Sequence, residues 1–569
     1  MFRRRVLQLG AVLAIGAVVT AFVARRRAAP LGSVGAIAVA AAAEGPAHVP
    51  DPFLDAWTPP AGIPAPDFGI AERAPAPPAA WNSPVANFYY VDATQKAATD
   101  DGNPNGTPAR PRRTIPLVLP AGAVVELRGV YDYFHSSPRT LTLNGTRERP
   151  VFIRGAGPGN RPQIRQIWEL HGSYAILENL EFAPLDANAT GALRILAPAT
   201  HIALRGSELH GNLTGGGLGV GSWAPNIDAE HVVIVGNRIH DNGDVNASFD
   251  QDVHGIAVGD RAHHIWVVDN ELARNSGDGI QINAGNSRAA MALTHHIYVG
   301  RNIAHHNKQS GFWTKQAVDV IFSQNLCYAH RPGNSSMGSC MGQQYSPERV
   351  WFISNHIHDS EFGIALAGDS DRGFGQSTFM IGNVIHNIHH VAKYNPQTGW
   401  SQAGIMMAGG QLRVVLNNTI DDVDAGITSP TAGITYIVNN IISGIREEKG
   451  CHIFLEMAAG AARSTMRNNL LTGPVRIRWG GERPFDLAGF RTAVPRQGVE
   501  CLIDAPGFVN PSADDFRLTP ASAARHKGAP EAAKLLEAYN RQYGVALAAD
   551  LTNLGAFDES ALQPSRRAR

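Results

Sequence analysis

Three short stretches of the chain carry the side chains that acid–base chemistry uses. FDQDVHGIAVGD, at 249–260, holds Asp250, Asp252 and His254. NSGDGIQINAGN, at 275–286, holds Asp278, Gln281 and Asn283, and NKQSGFWTK, at 307–315, holds Lys308, Trp313 and Lys315. Each runs into a glycine followed by a hydrophobic residue: Gly255-Ile256, Gly279-Ile280 and Gly311-Phe312. A lysine is a base once its amine is freed of its proton, and histidine is a second proton carrier. Asp250, Asp252 and Asp278 are the oxygen donors a calcium ion would use, although calcium takes about six to eight oxygens, so water or substrate would complete the shell. Trp313 is a platform for a sugar ring, and Gln281 and Asn283 are partners for hydroxyls or a carboxylate. Together these types fit β-elimination from a uronate, which needs a neutralised carboxylate, a base and a proton donor. Each residue also has a plain structural reading: turn acids capping backbone amides, a hydrogen-bonded turn histidine, a solvated lysine.

These residues meet only if the segments stack, and the rest of the chain says that they do. VVIVGNRIHDN, IWVVDNELARN, IYVGRNIAHHN, VIFSQNLCYAH, VWFISNHIHDS and their later relatives are versions of one unit. An asparagine recurs at Asn237, Asn270, Asn302, Asn325, Asn355, Asn383, Asn418, Asn440 and Asn469, spaced 22 to 35 residues apart. Apolar residues alternate around it with period two, so each unit reads as strand, turn, strand. One such unit cannot bury its apolar face alone; stacked coils close a continuous core, and an asparagine fixed at one turn ladders onto its equivalents. The expected fold is all-β, a right-handed parallel β-helix.

Aligning the coils on the Gly-hydrophobic step puts His254, Asp278 and Ser310 in one column, and Ala257, Gln281 and Trp313 in another. Asn283 and Lys315 share a third, and a fourth coil is aligned, more loosely, on Gly342-Gln343. Adjacent coils lie about 4.8 Å apart, so aligned residues are neighbours. The insertion YAHRPGNSSMGSCMGQQYSPE, at 328–348, lengthens the next coil and would wall the groove. It offers Arg331, Gln344 and Tyr345 to a substrate, with Tyr345 a further proton donor. The histidine pairs 263–264, 295–296, 305–306 and 389–390 read as stacked turn residues, since none has metal-helix spacing.

The 569 residues are 44% hydrophobic and only 17% charged, with 59 Gly, 36 Pro and no formal net charge. No global field steers the protein toward nucleic acid. The N-terminus combines RRRVLQ with an apolar run and a second RRR, which resembles a twin-arginine export signal; an uncleaved single-span anchor over 6–24 is the alternative. The reading of the chain is therefore 1–45 signal or anchor, 46–86 Pro/Ala-rich linker, 87–510 β-helix, and 511–569 closing segment and tail. Cys327–Cys340 and Cys451–Cys501 are sensible disulfide pairs in an exported protein, with free buried thiols the alternative.

The repeat resembles the pectate-lyase-like right-handed β-helix superfamily over roughly 87–558. FYYVDATQKAATDDGNPNGTPARPRRTIPLVLPAGAVVELRGVYD looks like the opening of exported polysaccharide lyases of that fold, as does GTRERPVFIRGAG. DAPGFVNPSADDFRLTPASAA is similar to their closing segment. The layout is closest to polysaccharide lyase family nine, in which coil-edge aspartates bind calcium and a lysine on the following coil is the base. GDGIQ resembles that family's DDGFD element: Asp278 matches, Gly277 and Gln281 stand where the family has aspartates, and Lys315 lies two residues beyond the family's lysine. The paired acids with Gly-His-Gly and Arg-Ile-Lys elements that glycoside hydrolases of this fold use are not found.

The sequence thus reads as an exported, periplasmic or secreted, polysaccharide lyase-like enzyme acting on an acidic polysaccharide. Lys315, His254 and Lys308 are the candidate catalytic residues, and Ca2+ is the candidate cofactor. A C5-epimerase uses the same proton abstraction, and a non-catalytic carbohydrate-binding or surface-structural β-helix is the reading from another class. A monomer is expected, with no nucleic acid and no membrane contact beyond an N-terminal anchor.

Overall fold

The computed structural model describes residues 57–131, 139–155, 161–183, 192–222, 224–285, 287–368, 377–390, 402–481, 483–530 and 532–556. The export signal or anchor at 1–45, the start of the linker and the last residues of the tail lie outside these. Among the described residues no helix is long and apolar enough to cross a membrane.

Short strands separated by left-handed corner residues repeat along the chain. One turn comprises Ile256–Val258, Ala262–Val268 and Glu271–Ala273. The next comprises Ile280–Asn283, His295–Gly300 and Ile303–His305. Every one of these strands pairs in parallel with its equivalent one turn away. Three parallel ladders therefore wind around one apolar core, and the chain is a parallel β-helix. One ladder is a 14-stranded sheet. The other two merge into a 26-stranded sheet, because the long strands Trp168–Glu178 and Leu193–Arg205 run through both.

Alternation explains the core. Ile256, Ile280, Phe312, Met341, Ile364 and Ile405 follow one another up a ladder and are fully buried, while their sequence neighbours face out. Each such side chain contributes about 1.5–3 kcal/mol by leaving water.

The nine expected asparagines form one unbroken ladder. From Asn237 to Asn440, each residue's side-chain amide and backbone N–H both donate to the side-chain oxygen of the next. The ladder begins one coil earlier than the repeat suggests, where the Ser207 N–H donates to Asn237 at 2.9 Å. It ends on Cys501, whose sulfur accepts the Asn469 N–H at 3.4 Å. A second ladder, not recognised in the repeat, runs Asn212, Asn242, Asn275 and Asn307 at another corner.

The expected linker is not free chain. Within 57–72, Ile63, Phe68 and Ile70 are buried against Trp266, Tyr298 and Trp351 on the outside of the helix. Hydrogen bonds fix the strap: Trp57 Nε1 donates to Asp269, Ser323 to the Ala61 carbonyl, and Trp266 Nε1 to the Pro64 carbonyl. The helix Ala532–Tyr543 in the closing segment covers the same face, and Tyr539 donates to the Gly62 carbonyl at 2.6 Å. Proline-rich composition suits an extended strap as well as a linker; the scattered apolar residues decide that it packs.

None of the four cysteines is in a disulfide. Cys501 caps the asparagine ladder instead of meeting Cys451, whereas Cys327 and Cys340 do face one another.

Candidate functional site

The three polar segments stack in the register their glycine steps imply. Ile256, Ile280 and Phe312 pair inward, Ala257, Gln281 and Trp313 pair outward, and Asn283 pairs with Lys315. The fourth coil is displaced by two residues from the expected alignment. Phe312 pairs with Met341, Trp313 with Gly342 and Lys315 with Gln344. Met341 supplies the apolar side chain the core needs, and a shift of two preserves which face each residue takes. Gln344 therefore stays on the outward face, beside Lys315.

His254 and Asp278 sit together at the corner ahead of these strands. The Asp278 backbone N–H donates to His254 Nδ1 at 2.9 Å, and the Asp278 carboxylate lies 3.5 Å from the same nitrogen. Nδ1 is thereby an acceptor, which leaves the proton of a neutral imidazole on Nε2. Burial pushes the His254 pKa below its ordinary value, with the Lys315 charge acting in the same direction and Asp278 and Asp252 opposing it. Burial pushes Asp278 above the usual carboxylate range, against the His254 and Lys315 charges and a 2.9 Å hydrogen bond from Gln281. Burial thus works against the charged form of both the imidazole and the carboxyl.

Gly277 makes this contact possible. A Cβ at that position would lie 2.5 Å from His254 Nδ1. Any side chain at 277, an aspartate included, would need the space the imidazole occupies.

The remaining expected site residues divide into two groups. Lys315 is part-exposed and Asn283 exposed, on neighbouring coils beside Gln281. Tyr345 is exposed at the end of the next strand. Lys308, in contrast, is buried, correcting its reading as a possible acid–base group. Its ammonium donates to the Ala247 and Phe249 carbonyls at 2.8 and 2.6 Å and lies 3.5 Å from Asp250. Asp250 accepts from the Ser335 N–H and hydroxyl at 2.7 and 2.8 Å, and these bonds outweigh burial and hold its pKa down. Arg331 donates to Asn246, and Asn334 to the Ser248 carbonyl. Residues 331–336 therefore reach back and dock on 246–250, with Lys308 tying the second loop from beneath. Arg331 is part of that seam.

Trp313 is also a correction. It is only 8% exposed and packs with Phe362, Ala365 and Met406, so it is no open platform. Its ring lies over Gly342, where a Cβ would meet Cζ3 at 2.2 Å.

The calcium trio is not assembled. Asp250 belongs to the loop seam, Asp252 accepts from Gln309 at 2.7 Å, and Asp278 is buried with His254 and Gln281. Among the described residues these three do not form a cluster with carboxylate oxygens close enough to share an ion. Three dispersed, already hydrogen-bonded carboxylates do not fit an ion that needs about six to eight oxygens.

The repeat reading missed a polar cluster farther along the same corner. Glu361, fully buried, accepts from Gln402 at 3.0 Å and lies 3.3 Å from His390 Nδ1. Asp424 accepts the His390 N–H at 2.9 Å and lies 2.8 Å from His389 Nδ1. The other three histidine pairs do stack: His263 on His295, His264 on His296, and His305 on Tyr328. His389 and His390 bind these acids instead, and no sequence motif joins Glu361, Gln402 and Asp424.

No family model matches the chain, and no curated protein matches it. Among solved structures, a lacto-N-biosidase of family GH136 from Eubacterium ramulus is 15% identical with a TM-score of 0.41, over 61% of this chain and 66% of that one. A point mutant of the PL6 family alginate lyase AlyGC is 13% identical with a TM-score of 0.45, over 79% of this chain and 57% of that one. Pectate lyase Pel9A is 11% identical with a TM-score of 0.36, over 83% and 96%. The chain thus spans less than two thirds of the lacto-N-biosidase and AlyGC chains.

Proposed function

We propose that the protein is an exported polysaccharide lyase-like enzyme that cleaves a uronate-containing glycan by β-elimination. The observation that carries this reading is the stacking of Gln281, Asn283 and Lys315 on outward columns of neighbouring coils, with His254 and Asp278 paired at the corner just ahead of them. Lys315, as the free amine, takes the proton α to the uronate carboxylate; the electron pair forms the double bond and the glycosidic C–O bond breaks. His254 Nε2–H gives its proton to the leaving oxygen, and the Asp278 carboxyl, 3.5 Å from Nδ1, replenishes the ring. Asn283 and Gln344 bind the uronate beside Lys315, and no step passes through calcium. The seam between 331–336 and 246–250 walls one side of the groove. The arginine-flanked apolar N-terminus supports delivery to the periplasm or outside, where such glycans are met.

The test is direct. Purified protein is incubated with pectate, alginate and glycosaminoglycans, and the unsaturated product is read by its ultraviolet absorbance. A rise with one acidic glycan is expected; binding without any rise would leave a carbohydrate-binding β-helix as the better account.

A further inference from the structure

The second asparagine ladder breaks at one coil, and the break has a chemical character of its own. After Asn242, Asn275 and Asn307, the equivalent corner position is His330. Cys327 lies three residues before it, and Cys340 enters from the strand Ser339–Gln344. All three are buried. The two sulfurs and a ring nitrogen lie within 4.8 Å of one another, and Cys327 Sγ is 3.2 Å from His330 Nε2. With metal–sulfur bonds of about 2.3 Å and metal–nitrogen bonds of about 2.0 Å, a shared ion sets S···S near ~3.8 Å and S···N near ~3.5 Å. Only small movements separate the observed cluster from that geometry.

Gly311 provides the space. A Cβ there would lie 2.3 Å from Cys327 Sγ and 2.8 Å from His330 Nε2. At the equivalent glycines of the preceding coils, Gly255 and Gly279, a Cβ would meet the next glycine's carbonyl and a ladder asparagine, with no sulfur or imidazole beside it. The two thiols donate to each other's backbone: Cys340 to the Cys327 carbonyl at 2.9 Å and Cys327 to the Cys340 carbonyl at 3.1 Å.

We propose that Cys327, His330 and Cys340 bind a thiophilic d10 cation, zinc(II) or copper(I), as a structural site. Two thiolates and an imidazole are the donors such ions select. Binding releases the two thiol protons. The ion would join the two ends of segment 331–339, part of which docks on 246–250, so it would hold the wall of the groove from within. Because the cluster is buried, loading accompanies folding.

The full-length protein is refolded anaerobically under reduction with Co2+, and separately with Zn2+ or Cu+ against a chromophoric chelator. One equivalent should survive gel filtration, with a thiolate-to-cobalt charge-transfer band, release of two protons per ion and a raised thermal midpoint. Chelator competition separates zinc from copper. His330→Asn restores the ladder residue, so it should fold and yet lose the equivalent; Cys327→Ser should lose it too, and Cys451→Ser should keep it. Equal binding by wild type and His330→Asn would overturn the site. So would a Cys327–Cys340 disulfide in the isolated protein that, once reduced and refolded, takes up no ion.

Discussion

Asp278 meets His254 twice: its backbone N–H donates to Nδ1 at 2.9 Å, and its carboxylate lies 3.5 Å from the same nitrogen. The first contact fixes the tautomer, and the second sets beside the ring the carboxyl that the proposed mechanism uses as a proton source. Asp278→Asn preserves shape and a hydrogen-bonding amide but removes that source. Its kcat should fall about 10²-fold with little change in KM, since general acid catalysis contributes about 10²–10⁴-fold. An unchanged kcat would remove the relay.

Lys315→Arg keeps the positive charge and cannot release a proton near neutral pH. Elimination should fall by at least ~10²-fold, while oligosaccharide binding by calorimetry changes little. Lys308→Arg should act differently, weakening the seam between 246–250 and 331–336 as seen by hydrogen exchange. Near-normal turnover in Lys315→Arg would show that the base lies elsewhere.

Gly277→Asp adds an acid beside Asp278 but puts a Cβ 2.5 Å from His254 Nδ1. The imidazole must move, so activity should drop, and calorimetry with Ca2+ should show no gain in affinity because Asp250 and Asp252 remain engaged. Tight calcium binding by this variant, or by the wild type, would restore the ion to the mechanism.

Asn355 and Asn283 should behave in opposite ways. Asn355→Ala removes the acceptor of the buried Asn325 N–H and side-chain amide and one donor to the Phe322 carbonyl, at a cost of about 1–3 kcal/mol for an orphaned buried group. Asn283→Ala, at an exposed position, should leave the thermal midpoint near wild type and lower substrate affinity. A fully stable Asn355→Ala protein would mean that the ladder contributes no net stability.

The stacked histidines should make the fold sensitive to acid. Burial, reinforced by neighbouring imidazoles, pushes His264 down to about 3 and His295 down to about 4. Folded-state values below the unfolded value of about 6.5 mean that the unfolded chain binds more protons once the pH falls below that point. Their contribution is complete above about 6.5 and is lost as the pH falls toward about 4 and then 3. The thermal midpoint should drop over this window, and less steeply in His264→Gln; equal slopes would acquit the stack.

The sequence by itself determined the coil. Period-two apolar runs and nine spaced asparagines have one economical solution, because a single coil cannot bury its core face and a repeated amide can bond to its equivalent in the next coil. The glycine steps also fixed the register of three coils, and so the meeting of Asn283 with Lys315. Tertiary structure alone decided what each polar side chain does there. Lys308 looks like an acid–base residue and Asp250 like a calcium donor until 331–336 folds back and takes them into its seam. Trp313 looks like a platform until Gly342 leaves room for its ring to pack with Phe362 and Met406. Cys327, His330 and Cys340 have no recognisable metal spacing because the coil, not the sequence interval, brings them together. Alternation along a strand is local and legible, whereas burial at a corner depends on loops whose docking partners lie tens of residues away.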